Sequence, residues 1–253
     1  MGTSAEVDPM SREVIDHAFP NDPVAYFRQH GYSGRKGFYT QDEAVSLGRR
    51  VWQLHDAMQA TLPADTSSIQ RSMPWPVSAI PDDLVADLRL VELTDIAREL
   101  LDGDEPHVMS WQAFARRAGA PATPWHSDDV AVPVAGPCVA FWIPLTHVPT
   151  RTGLVALADV DGTGPRPARQ WDLDPGDLTW HNMTVVHKAE DCPVDFLAFG
   201  IAVAGSRARI DLGDWPQLRG MRGQLCRRIS PDLRHRGSVV TAATPALASL
   251  TRS

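Results

Sequence analysis

The sequence predicts a mainly β protein with flanking helices, either an α+β domain or a helix-flanked β-sandwich. Three observations predict it. Apolar residues recur at helical spacing in two segments between about 40 and 101. Beyond Gly103 the chain breaks into short strand-like pieces bounded by Pro and Gly. Helices come first and strands follow, instead of alternating as in βαβ folds.

In order along the chain, residues 1–20 are polar without a clear period and read as a loose lead-in. Thr40-Gln41-Asp42-Glu43 has capping-box spacing. Val45, Leu47, Val51, Leu54 and Met58 follow at near-helical spacing, so a helix is expected over 41–61. The Ser/Pro-rich stretch 63–81 reads as a loop. Pro81-Asp82-Asp83 opens a second helix over 82–101, with Leu84, Leu88, Val91 and Leu100 as core candidates. Strands are expected near 107–117, 125–131, 137–145, 153–158, 177–181, 183–188 and 195–204, giving a helical part over about 40–101 and a β core over about 107–211. A short final helix is expected at 214–228, and the Ser/Thr/Ala-rich tail from 235 to 253 reads as a fraying end. No repeat or composition shift calls for a second domain, so the 253 residues read as one domain.

Composition excludes several classes. With 43% hydrophobic and 22% charged residues, an ordinary core is available. The net charge of −7 and the lack of a basic tract argue against a nucleic-acid partner. No apolar run reaches the roughly 18 residues of a membrane span, and the early sequence has no signal-peptide core. A cytoplasmic protein is the expectation. Cys138, Cys192 and Cys226 form no CxxC pair, so neither a disulfide framework nor a thiolate zinc site is suggested. Cys138, in an apolar run, reads as a buried small hydrophobe. There is no GxSxG elbow and no phosphate-binding loop.

Chemistry concentrates in Trp125-His126-Ser127-Asp128-Asp129 and in His187, 61 residues past His126. If the first run is a strand, His126 and Asp128 project from one face, and a distant imidazole can complete the set. Two His and one carboxylate on one face of a metal, with the other face open, is the arrangement of non-haem Fe(II) oxygenases. The same set also binds zinc, which leaves a metal-dependent hydrolase or isomerase open. With nine His in the chain, His181 and His147 rival His187 for the distal position. Asn182-Met183 suggests a bend between His181 and His187, while His147 reads as a strand exit. Asp129 is expected either to face solvent or to orient a ligand from outside. Lys188 points away from the face of His187 by strand parity.

With these residues in hand, the chain resembles the phytanoyl-CoA dioxygenase-like family of Fe(II)/2-oxoglutarate oxygenases over about residues 107–204. The resemblance rests on four ordered pieces. They are Thr123-Pro124-Trp125-His126-Ser127-Asp128; the apolar strand Val139-Ala140-Phe141-Trp142-Ile143-Pro144-Leu145; Gly153-Leu154; and Pro175-Gly176-Asp177 leading to His187. It implies a double-stranded β-helix, a jelly-roll or cupin-like core. It also implies His126, Asp128 and His187 as metal ligands, Fe(II) as the metal, 2-oxoglutarate as co-substrate, and His181 in a non-ligand position. Dioxygen and a small molecule would be the other partners, with hydroxylation as the default outcome. Family members from bacterial natural-product pathways carry out epimerisation, ring closure or desaturation, which makes an antibiotic-tailoring role an expectation.

The chain departs from the family in two places. The family's Pro-Gly-Ser-His stretch after Gly-Leu is replaced by Val155-Ala156-Leu157-Ala158-Asp159-Val160-Asp161-Gly162. The family also places an Arg about eleven residues past the distal His, where it forks onto the far carboxylate of 2-oxoglutarate. Here Asp191 to Ala198 contains no Arg, and Arg207 and Arg209 come too late. Strand alternation puts Gln112, Phe114 and Arg116 on one face, so Arg116 is the expected substitute cation, with Gln112 and Trp142 beside it. Trp142 is expected to wall the pocket, while nothing places Trp180 there. The missing Arg also supports a second reading, a non-catalytic binding or partner protein on the same scaffold. Residues 63–81 and 159–170 are the candidate lids.

Overall fold

A computed structural model of the chain describes residues 19–65, 74–76, 80–123, 125–131, 134–149, 154–157 and 168–210. The final helix expected at 214–228, the tail, Cys226, nearly all of the lead-in, most of the 159–170 lid and part of the 63–81 loop lie outside them. No helix among the described residues is long and apolar enough to cross a membrane.

Helix α1 (Pro23–His30) begins at Asp22, whose side chain accepts from the Ala25 amide, and ends at Gly31 in the left-handed region. It escaped the sequence reading because one turn-pair of helix carries too little periodicity. The expected helix at 41–61 is α2 (Gln41–Ala60), and the capping box at Thr40 and Glu43 is formed in both directions. The expected helix at 82–101 is two helices, α3 (Asp82–Asp87) and α4 (Leu90–Leu100). Arg89 breaks it with φ 46°, a conformation costly for a non-glycine residue. Its guanidinium donates to the Phe38 carbonyl and to Glu43, each at 2.7 Å. That clamp to the start of α2 holds the break, and both Leu88 and Leu90 stay buried.

Six strands form the large antiparallel sheet: β1 (Tyr32–Arg35), β2 (Trp75–Pro76), β3 (Pro106–Arg116), β5 (Cys138–Pro144), β8 (Leu178–Asn182) and β10 (Phe196–Gly205), in the order β1-β8-β5-β10-β3-β2. A second sheet has the order β7 (Ala168–Gln170), β6 (Leu154–Leu157), β9 (His187–Ala189). A third pairs β4 (Val134–Ala135) with β11 (Arg209–Ile210). This is a jelly-roll core with its helices packed on one side.

Alternation divides the large sheet into two faces. Phe141, Ile143, Trp180, Phe199, Ile201 and Trp111 pack against Leu47, Val51, Leu54, Leu88, Leu93 and Ala97 of the helices. Trp111 and Phe199 stack with centroids 5.7 Å apart, and truncating either to Ala should cost about 3–5 kcal/mol. Trp180 lies in this helix-side core, away from the candidate site. The opposite face carries Tyr32, Trp142, Ala198 and Phe196, packed with Val148, Trp171, Leu173, Val185 and Cys192. Cys138 and Cys192 are free thiols, and burial pushes the Cys138 thiol up to about 12. Cys138 is the buried hydrophobe the sequence suggests.

The Pro-Gly-Asp turn before β8 has a mechanical role. Gly176 has φ 93°, and a Cβ there would lie 2.5 Å from the Tyr39 carbonyl oxygen. Asp177, 2% exposed, accepts from the Gly37 amide, the Asp174 amide and Lys36 Nζ. The turn therefore ties the segment before α2 to the start of β8.

Candidate metal centre

The large sheet brings rows of side chains inward by register. Tyr32, His181, Ala140, Ala202 and Ser110 are cross-strand neighbours from β1 to β3. Two residues along lies the row Gly34, Thr179, Trp142, Gly200 and Gln112. Beyond it come Ala198 with Phe114, then Phe196 with Arg116. Gln112, Phe114, Arg116 and Trp142 thus share the inward face, as alternation predicts.

After β8 the chain reverses. Asn182 Oδ1 accepts from both the amide and the hydroxyl of Thr184, and the Val185 amide returns to the Asn182 carbonyl. The strand expected at 183–188 is therefore mostly this turn, and β9 begins only at His187. His187 pairs with Ala156 of β6 on one side and with His126 on the other.

The expected strand at 125–131 is not formed. His126 makes a single antiparallel bridge, and the chain then turns into the short helix α5 (Asp128–Ala131). Ser127, Asp128 and Asp129 are turn and helix-start residues, and their local preference overrides extension. Strand parity is thus not what brings His126 and Asp128 together. The bridge sets the first side chain and the helical turn swings the second beside it.

His126, Asp128 and His187 each offer a ligand atom, and these atoms lie within 4.8 Å of one another. The His126 and His187 rings are 4.4 Å apart at their centroids. His187 Nδ1 donates to the Val185 carbonyl at 2.9 Å, which leaves the Nε2 lone pair facing Asp128 Oδ1 at 3.6 Å. Burial pushes the His187 imidazole down, the neighbouring His181 lowers it further, and its pKa falls to about 4 despite Asp128. The ring is then neutral near pH 7, the form a metal requires. Burial pulls the Asp128 carboxyl upward, but the His181 hydrogen bond and the nearby imidazoles outweigh it and hold it at about 2. One carboxylate and two imidazoles are a donor set that suits a divalent iron, so the residues present fit the metal.

The other sequence candidates fall as follows. His147 sits between the carboxylates of Asp172 and Asp174 at 3.6 and 3.5 Å, apart from this cluster. His181 is inside the site, its Nε2 2.9 Å from Asp128 Oδ2. Asp129 hydrogen-bonds through its amide to the Met183 carbonyl, and its Oδ1 is buried with no partner among the described residues. Lys188 turns to Glu190 at 3.0 Å and lies over the Trp125 ring. Arg116 rests over Phe196 and donates to the carbonyls of Glu190, Ala120 and Pro121. Trp142 meets Phe114 and Phe196 at centroid distances of 6.3 and 6.2 Å. The sequence reading missed the contact between His181 and Asp128, because no local spacing links β8 to the turn at 128.

Comparison with known proteins identifies the family and the fold. The sequence profile of the phytanoyl-CoA dioxygenase (PhyH) family matches residues 27–158, more than half of the chain. No curated protein sequence matches. Among solved structures, the non-haem monooxygenase ThoJ, in its nickel complex, is similar at 19% identity and TM-score 0.59, over 76% of this chain and 80% of that one. The non-haem α-ketoglutarate-dependent carbocyclase SnoK from nogalamycin biosynthesis is similar at 17% identity and TM-score 0.64, over 81% of this chain and 90% of that one. CytC3 with Fe(II) and α-ketoglutarate is similar at 17% identity and TM-score 0.57, over 78% of this chain and 82% of that one.

Proposed function

The chain belongs to the phytanoyl-CoA dioxygenase family, and from that premise we propose that it is a non-haem Fe(II)/2-oxoglutarate-dependent oxygenase of a small molecule, with His126, Asp128 and His187 as its metal ligands. The observation that carries the reading is the gathering of those three donors from two distant segments. Three protein ligands leave half of an octahedral shell for co-substrate and dioxygen. Iron, when bound, supplies the activation of dioxygen coupled to oxidation of 2-oxoglutarate to succinate and carbon dioxide.

The chain's own residues do the holding. The Val185 carbonyl fixes the His187 tautomer and ring orientation, as partners of metal-bound His ordinarily do. Trp142, Phe114 and Phe196 wall the inward face and keep it dry. The far carboxylate of the co-substrate needs a cation, and Arg116 is the proposed one. Its guanidinium now bonds neutral carbonyls, and exchanging some of them for a carboxylate gives charge-assisted bonds roughly twice as strong. Gln112, two rows from Arg116 on the same face, is proposed to contact the co-substrate as well.

For the reaction, the likeness to a monooxygenase and to a carbocyclase and an epimerase of nogalamycin biosynthesis supports a natural-product tailoring role: hydroxylation, epimerisation or cyclisation. The intact donor set weighs against a non-catalytic partner protein.

Anaerobic titration with Fe(II) and then 2-oxoglutarate tests the proposal. The expected result is a visible charge-transfer band at one equivalent of each, and succinate on admission of air with substrate. Iron binding without that band would leave the co-substrate assignment without support.

A further inference from the structure

His181 is 4% exposed and sits on β8, with Tyr32 and Ala140 as cross-strand neighbours. It belongs to the large sheet, whereas His126, Asp128 and His187 belong to the segments facing that sheet. Its Nε2 lies 2.9 Å from Asp128 Oδ2, while Asp128 Oδ1 lies 3.6 Å from His187 Nε2. The two oxygens of one carboxylate therefore have different neighbours. One faces the ligand cluster, and the other faces an imidazole reaching over from the opposite sheet. The His181 and His187 rings are 4.8 Å apart at their centroids, so both press on the same carboxylate.

We propose that His181 is a positioning residue for the metal centre: its Nε2–H holds Asp128 Oδ2 and presents Oδ1 alone to the metal. The inference rests on the metal-ligand assignment made above. A carboxylate free to turn about its last bond can chelate a cation with both oxygens. It then takes two of the positions that co-substrate and dioxygen need. A donor on Oδ2 removes that freedom and gives that oxygen a fixed partner. The bond also ties α5, a single helical turn, to the large sheet. The backbone holds the turn through the bridge at His126 and the bond from the Asp129 amide to the Met183 carbonyl, but neither fixes the rotation of the Asp128 carboxylate. His181 stands outside the ligand set, because the donor atoms that lie within 4.8 Å of one another belong to His126, Asp128 and His187.

The test is Co(II) binding to the metal-free protein by calorimetry, with the ligand-field spectrum of the complex and the melting temperature of the apo form. His181→Gln places an amide N–H near the position of Nε2, and His181→Asn is polar but too short to reach. His181→Leu removes the donor. His181→Gln should keep affinity within about threefold and preserve the spectrum. His181→Asn and His181→Leu should each weaken binding about 10–100-fold and shift the bands, as outer-shell losses do. If His181→Asn binds like the wild type with unchanged bands, the inference is wrong. It is equally wrong if His181→Gln loses as much as His181→Asn. His126→Ala is the control for the underlying reading and should abolish binding. Wild-type affinity in His126→Ala would overturn the ligand assignment, and the role of His181 with it.

Discussion

His126 and His187 face each other as a hydrogen-bonded antiparallel pair: each amide donates to the other's carbonyl, at 2.9 and 2.8 Å, and their rings lie 4.4 Å apart. Directly opposed residues of such a pair project to the same side of the sheet. Two imidazoles separated by 61 residues of chain thus converge through backbone pairing alone.

The three donors His126, Asp128 and His187 should be indispensable for metal binding. His187→Ala and Asp128→Ala should each lose more affinity for Fe(II) than the roughly 100-fold that an outer partner costs. Anaerobic equilibrium dialysis measures this, with circular dichroism to confirm that the fold is retained.

Arg116 separates two roles that one substitution can read. Arg116→Ala should raise the 2-oxoglutarate concentration needed for half-maximal turnover many-fold and leave Fe(II) affinity unchanged. If the bonds to Glu190, Ala120 and Pro121 are its whole purpose, only the melting temperature will fall. Turnover against 2-oxoglutarate, measured beside a thermal melt, decides between them.

Acid should destabilise the metal-free protein in a defined window. The His187 pKa falls from an ordinary 6.5 to about 4 in the folded state. Between those values the unfolded chain takes up a proton that the folded chain refuses, so stability drops as pH falls from about 6.5 to 4. Full titration corresponds to a loss on the order of 3 kcal/mol. Asp128, lowered from 3.8 to about 2, adds to the loss in the same direction at lower pH. Urea unfolding of chelator-treated protein at several pH values measures the slope, and His187→Leu should flatten it between pH 6.5 and 4.

Gly200 should tolerate no side chain. It lies on the inward row between Trp142 and Gln112, and a Cβ there would sit 2.6 Å from Phe114 Cε2. Gly200→Ala must displace the Phe114 ring from its place against Trp142, at a cost of about 1–3 kcal/mol. Combining it with Phe114→Leu should recover part of that loss. A double-mutant cycle by urea unfolding tests the coupling, and strict additivity would show that the ring does not carry it.

Much of the scaffold was legible because its signals are local. The capping box at Thr40 and Glu43 and the apolar period after it announce α2, and strand-like apolar pieces bounded by Pro and Gly announce β3, β5 and β10. Asn182-Met183 correctly marks the bend that separates His181 from His187. Elements held by partners far away in sequence did not show. Arg89 breaks the second helix through bonds to Phe38 and Glu43, and β1, β2, β4, β7 and β11 are too short to carry a period.

The sequence by itself determined the inventory: a β core behind helices, an HxD run, and a distal His after a Pro-Gly-Asp turn. Those are matters of residue type and short spacing, which act within a few bonds. Tertiary structure decided the rest. It made His126 and Asp128 neighbours through a bridge followed by a helical turn, where the sequence suggested a strand. It also set His181 against the second oxygen of Asp128, and it sent Arg116 to backbone carbonyls. Each of these depends on strand register and cross-sheet packing, and register is settled only when segments more than fifty residues apart pair and bury their apolar faces together.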